Sequence, residues 1–181
     1  MDINHNSKIS HYTTDAYFYD CHKRKIKLGD RTALDIYLEL MQNTPNWINA
    51  LMRFRNSIVS KLGLKDLGAL SDVKDNKTDK QYKVGDQLGI FSIYALSDQE
   101  IILEDSDRHL TVKVSFFLCA ASTTEPAADQ SAGQSTGQEN NTLLYTTTVV
   151  HVKNWFGKLY MFFVKPVHKI IVPTVLKKLR S

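Results

Sequence analysis

Residues 154–180 read NWFGKLYMFFVKPVHKIIVPTVLKKLR, and the fold turns on how this stretch is read. It is the longest segment able to be helical. On a helical wheel Trp155, Leu159, Phe162, Pro166, Ile170 and Pro173 share one face, and apolar residues continue around much of the circumference. Lys158, Lys165 and Lys169 fall along one narrow ridge, giving the segment a single wet edge. A helix apolar nearly all round is a buried one, so the pattern predicts a helix covered by the rest of the chain. Pro166 and Pro173 predict a kink or a division, because each removes a backbone hydrogen bond and crowds the preceding turn. The carbonyls of Phe162 and Lys169 would then be hydrated or open to a ligand.

Upstream the chain reads mostly as strands needing such a cover. Residues 1–11 are polar and predict a loose N-terminus. YTTDAYFYDC, residues 12–21, predicts a first strand, and HKRKIKLGDR a basic connection. Thr32 and Asp35 have capping-box spacing, and Ala33, Ile36, Tyr37, Leu40 and Met41 make the apolar stripe of a first helix. Pro45 opens a second helix, to about Leu62, with Ile48, Leu51, Met52, Ile58, Val59 and Leu62 on its stripe. From Tyr82, YKVGDQLGIFSIYALS, QEIILEDS and RHLTVKVSFFLCA predict an antiparallel meander. In its third run Leu110, Val112, Val114, Phe116 and Leu118 alternate with His109, Thr111, Lys113 and Ser115, which predicts one buried and one wet face. Residues 121–141, rich in Ser, Thr, Ala, Gln and Gly, predict a disordered loop before the β-branched strand NTLLYTTTVVHV. The order is strand, two helices, a run of strands and one long helix, which argues for a single α+β domain over residues 12–181.

At 181 residues the chain can bury a core without staples. Its net charge of +4 conceals an asymmetry: between Lys153 and Ser181 lie seven basic and no acidic residues, leaving 16 basic against 19 acidic elsewhere. The basic excess belongs to one segment. Its lysines keep an apolar helix soluble or contact an anionic membrane surface; a nucleic-acid partner is not expected. The N-terminus lacks the apolar run of a signal peptide, so a cytoplasmic location is expected. Cys21 and Cys119 stand apart from any CxxC or Cys/His cluster and read as reduced, with no metal role. GxGxxG, P-loop and GxSxG patterns are absent, so no cofactor is expected.

Several residues carry possible chemistry. EDSDRHL crowds Glu104, Asp105, Asp107, Arg108 and His109 at a turn, either to hold a proton or a divalent ion or simply to satisfy a tight hairpin. Asp107, His109 and His151 are the catalytic candidates. Arg55 falls in the apolar stripe of the second helix, where its charge must be paired, reach water or meet an acidic ligand group. His168 lies in the long helix as a core residue or a ligand-facing one. Tyr94, Trp155 and Tyr160 line a cavity or fill it.

Four stretches taken together, TPNWINALMRFRNSIVSKLGL, YKVGDQLGIFSIYALSDQEIILEDSDRHL, TTTVVHV and NWFGKLYMFFVKPVHKIIVPTVLKKL, resemble the family catalogued as domain of unknown function 2867. The most specific pieces are Arg55–Asn56, Asp107–Leu110 and YMFFVKPVHKIIVP. The element order also resembles the helix-grip fold of the START-like, polyketide-cyclase superfamily. That resemblance implies a curved antiparallel sheet wrapped around the C-terminal helix, with two short helices after the first strand. It implies a cavity for a small apolar or amphipathic ligand, for which Arg55, Arg108, His109, Tyr94, Trp155, Tyr160 and His168 are, on their own chemistry, the ligand-binding candidates; the family itself carries no assigned catalytic residues. The alternatives are a cyclase- or dehydratase-type enzyme using the same cavity, and membrane or partner attachment through the basic C-terminal segment. Oligomeric state is left open.

Overall fold

A computed structural model of the chain describes residues 3–51, 82–120 and 141–179. Six strands form one antiparallel sheet, ordered β1-β6-β5-β4-β3-β2: β1 Phe18–Lys27, β2 Gln87–Leu88, β3 Phe91–Leu96, β4 Glu100–Ser106, β5 Leu110–Ala120 and β6 Asn141–Val152. Helix α1, Ala33–Gln42, follows β1; a second helical stretch, α2, occupies 46–51; and α3, Trp155–Leu176, closes the chain. The α+β class and the strand–helices–strands–helix order are as expected. The arrangement is consistent with a helix-grip-like fold. Arg55, most of the second predicted helix and the low-complexity stretch fall outside the described residues.

Strand β1 differs from its expected span. It begins at Phe18 and runs through the basic stretch to Lys27, paired along its length with β6 from Phe18↔Val150 to Lys27↔Asn141. Period-two alternation explains this. Lys23, Lys25 and Lys27 are exposed, while Arg24 and Ile26 turn inward, so a run that looks uniformly charged still has a core-facing side.

α1 begins as its sequence predicts. The Asp35 amide donates to Thr32 Oγ1 at 3.3 Å, and the Thr32 amide donates back to Asp35 Oδ2 at 2.6 Å, completing the capping box. Its stripe of Ala33, Ile36, Tyr37, Leu40 and Met41 is buried against β4 and β5. The main core joins this stripe to Ile26, Leu88, Ile93, Ile101, Leu103, Phe116, Leu118 and Leu144, and to Leu176 and Leu179 at the chain's end.

The opposite sheet face is covered too, contrary to the one-wet-face expectation. Lys113 and Ser115 are both buried. The cover is the N-terminal segment, which is not loose over its described residues: a 3-10 helix, Lys8–Tyr12, buries Ile9 completely against Ile102 and Val149. Buried Glu100 holds it, accepting from Ser7 Oγ at 2.5 Å, the Lys8 amide at 2.9 Å and Ser115 Oγ at 2.6 Å. Lys113 pairs with Glu104 and lies over the rings of Tyr12 and Tyr94, a placement that stabilises a desolvated ammonium.

The largest difference concerns α3. Only Gly157, Met161 and Leu176 are buried within it. The face predicted to be covered looks outward: Trp155 is 64% exposed, Phe162 71%, Phe163 63% and Ile170 61%. The inward side carries Gly157, Met161, His168 and Leu176, a narrower strip against β1 and β6. The apolar pattern was wider than the surface available to cover it. The helix runs undivided through Pro166 and Pro173.

Candidate functional site

α3 is fastened at both ends. At its start Asn154 is the N-cap, its Oδ1 accepting from the Gly157 amide at 3.2 Å and lying 3.0 Å from His109 Nδ1. Its Nδ2 donates to the Arg108 carbonyl at 3.0 Å. Because Oδ1 only accepts, His109 carries its proton on Nδ1, which leaves Nε2 to accept from Arg108 Nε at 2.8 Å. Asp107 Oδ1 takes the amides of His109 and Leu110 at 2.6 and 2.9 Å, and Lys153 Nζ donates to the Asp107 carbonyl at 2.6 Å. The hairpin EDSDRHL is therefore a helix mount: Asp107, Arg108 and His109 are engaged in holding the turn and the start of α3, while Glu104 pairs with Lys113.

At the other end Arg24 reaches from β1 and donates to the carbonyls of Leu176 and, at 3.0 Å, Leu179. These acceptors lie at a helix C-terminus, where positive charge is favoured, and the Leu176 carbonyl also takes the Leu179 amide at 3.2 Å. Leu176 and Leu179 sit in the main core beside it.

Between these mounts lies a polar patch that sequence reasoning missed except for His168. Asp20 on β1 is 3% exposed, with Oδ2 at 3.1 Å from His22 Nε2 and 3.8 Å from His168 Nε2. Among the described residues, Asp20 Oδ1, His168 Nε2 and Thr146 Oγ1 are buried with no hydrogen-bond partner. Thr146 pairs with His22 across β1 and β6, and Thr148 with Asp20, so all four side chains rise from one sheet face beneath the helix. Burial lowers the His168 pKa below the usual 6.5; Asp20 opposes that shift and His22 adds to it. Phe18 meets the His168 ring edge-on at 5.8 Å. The alternation Phe18, Asp20, His22, Arg24, Ile26 was the available signal: two apolar residues bracket three polar ones on a single strand face.

The other candidates are dispersed. Tyr94 belongs to the face covered by the N-terminal segment, with its hydroxyl 2.8 Å from that of Tyr12. Trp155 lies outward, stacked on Phe156 at 4.2 Å, and Tyr160 is half-buried one turn further along α3. His151 pairs with Thr111 across β5 and β6. Among the described residues no group of three His, Cys, Asp or Glu side chains is placed to hold a metal. A depression of about 150 Å³ lies at the far sheet edge, lined by Gln87, Ile90, Ser92, Glu104, Asp105 and Ser106. Its walls are mostly polar, and Ser106 at its rim accepts from Lys153 Nζ at 2.9 Å, just ahead of the N-cap of α3.

The outer surface of α3 is the other feature of the site. Trp155, Phe156, Leu159, Phe162, Phe163, Val167 and Ile170 form an exposed apolar strip along a 22-residue helix. Lys158 and Lys169 are exposed beside it, and Lys165 lies over the ring of Tyr17 at 4.3 Å. By length and composition the helix is apolar enough to cross a membrane. In the structure it lies along β1 and β6, held at both ends by Asn154 and Arg24.

No curated protein and no solved structure matches the chain. A family model does, over residues 12–175, spanning β1 through nearly all of α3, and the chain belongs to the family described as Protein of unknown function (DUF2867).

Proposed function

We propose that this domain attaches to anionic lipid surfaces through the outward face of α3, with sheet and helix arranged as in a helix-grip domain. The observation that carries the reading is the exposed strip from Trp155 to Ile170, with lysines beside it and no acidic residue after Asn154. A contiguous apolar strip of this size is unusual on a surface meant only for water. Aromatic and aliphatic side chains on one side with lysines at the margin suit a helix lying in the headgroup region. The helix need not detach, because its apolar face already points away from the sheet. An expected cytoplasmic location agrees with this reading, since that leaflet carries the anionic lipid.

Each lysine near such a surface contributes about 1 kcal/mol, so neutralising three should weaken binding on the order of a hundredfold. The test is co-sedimentation with phosphatidylserine-containing and with pure phosphatidylcholine vesicles, using wild type and the triple variant Lys158→Gln, Lys165→Gln, Lys169→Gln. Wild type should sediment with the anionic vesicles and respond to salt, and the variant should stay in solution. Equal sedimentation of both proteins, or none of wild type, overturns the reading.

A second reading, an amphipathic small molecule held between sheet and α3, is favoured by the unpartnered polar atoms of Asp20, Thr146 and His168 beneath the helix. The cyclase-type alternative has less support, because Asp107 and His109 are engaged in the hairpin and the N-cap.

A further inference from the structure

We infer that the sheet face beneath the middle of α3 is a head-group subsite for an amphipathic molecule whose polar end donates hydrogen bonds, an alcohol or a primary ammonium. This rests on the second reading above and is independent of attachment through the outer face.

The inference starts from what the patch lacks. Asp20 Oδ1 and Thr146 Oγ1 belong to side chains only 3% exposed, and neither atom has a partner among the described residues. His168 Nε2 comes within 3.8 Å of Asp20 Oδ2, too far for a hydrogen bond, and is likewise unpartnered. Buried polar atoms are almost always paired, and three orphans in one patch, on neighbouring positions of β1 and β6 and on the helix above, call for a complementary group. A carboxylate oxygen can only accept, so the missing group must donate. An ammonium or hydroxyl meets that demand at Asp20. Thr146 and His168 can each accept a second hydrogen bond from an ammonium or give one to a hydroxyl oxygen. A carboxylate or phosphate head would stand against the Asp20 carboxylate, and Arg24, the guanidinium on the same strand face, is committed to the carbonyls of Leu176 and Leu179.

The apolar part of the molecule has a matching environment. Phe18 borders the patch through its contact with His168, and Met161 is buried on the inward side of α3.

The test is calorimetric titration with n-decylammonium, n-decanol and n-decanoate, each below its micelle concentration. The ammonium and the alcohol should bind once per chain, with decanoate weaker by about tenfold or more, as expected for a head group that repels a buried acceptor. Asp20→Asn should abolish the preference for ammonium over decanoate. Thr146→Val, close to isosteric, should weaken the alcohol severalfold and guards against a folding defect in the first variant. The inference is overturned if decanoate binds as well as the ammonium, if no probe binds, or if neither substitution changes the order. Phe162→Ser with Phe163→Ser on the outer face should leave these titrations unchanged while reducing vesicle sedimentation, so the two readings fail separately.

Discussion

Gly157 shows how little room the start of α3 leaves. A Cβ there would lie 2.5 Å from the His109 carbonyl oxygen and 2.8 Å from Val152 Cγ1, and the carbonyl cannot move without breaking the hairpin. Gly157→Ala should therefore cost ~1–3 kcal/mol, the usual range for overpacking, read as a lower urea midpoint. A midpoint within error of wild type would mean that the mount is softer than its contacts imply. His168 makes a second residue-level case. Its folded pKa is depressed mainly by burial, so as pH falls the unfolded chain takes up a proton first. Its contribution is fully present above about 6.5, declines as pH drops from there through the depressed value, and levels off below it. His168→Gln should flatten that step in urea midpoints measured from pH 8 to pH 5. An unchanged pH dependence would assign the step to another group. His168 was legible as a helix residue of interest, but its partners were not, because only β-pairing brings Asp20 and Thr146 beneath it.

At the scale of elements, the segments read correctly are those whose signals are local. The capping box of Thr32 and Asp35 and the stripe of α1 depend on residues within one or two turns, and both appear as expected. β1 was misplaced because its basic second half hides a two-residue period that becomes visible only once β6 is opposite it. The N-terminal 3-10 helix was missed for a related reason: its anchor, Glu100, is 92 residues from Lys8. That anchor is testable. Glu100→Ala would leave the hydroxyls of Ser7 and Ser115 and the Lys8 amide without their acceptor, at a cost of about 3 kcal/mol. Faster protease cleavage near Lys8, together with a lower urea midpoint, is the expected result. Resistance equal to wild type would show that Ile9 alone holds the segment down.

Across the whole molecule, the α+β class and the antiparallel sheet follow from block order and alternation, which are properties of the linear chain. What the linear chain misstates is coverage. A wheel drawn for α3 counts apolar residues, but burial depends on how much sheet lies beneath and how many elements compete for it. α1 takes the space over β4 and β5, and only the tail of α3 reaches that core. The double mounting of α3 has a further consequence. A free amphipathic peptide must coil into a helix as it meets a bilayer, and nucleating that first turn is slow and unfavourable. Here Asn154 and Arg24 have already fixed the helix, so contact with a surface involves no folding and little loss of conformational freedom. Encounter should then be governed by diffusion and by the field of the lysines, and the domain should come to rest in one orientation rather than many.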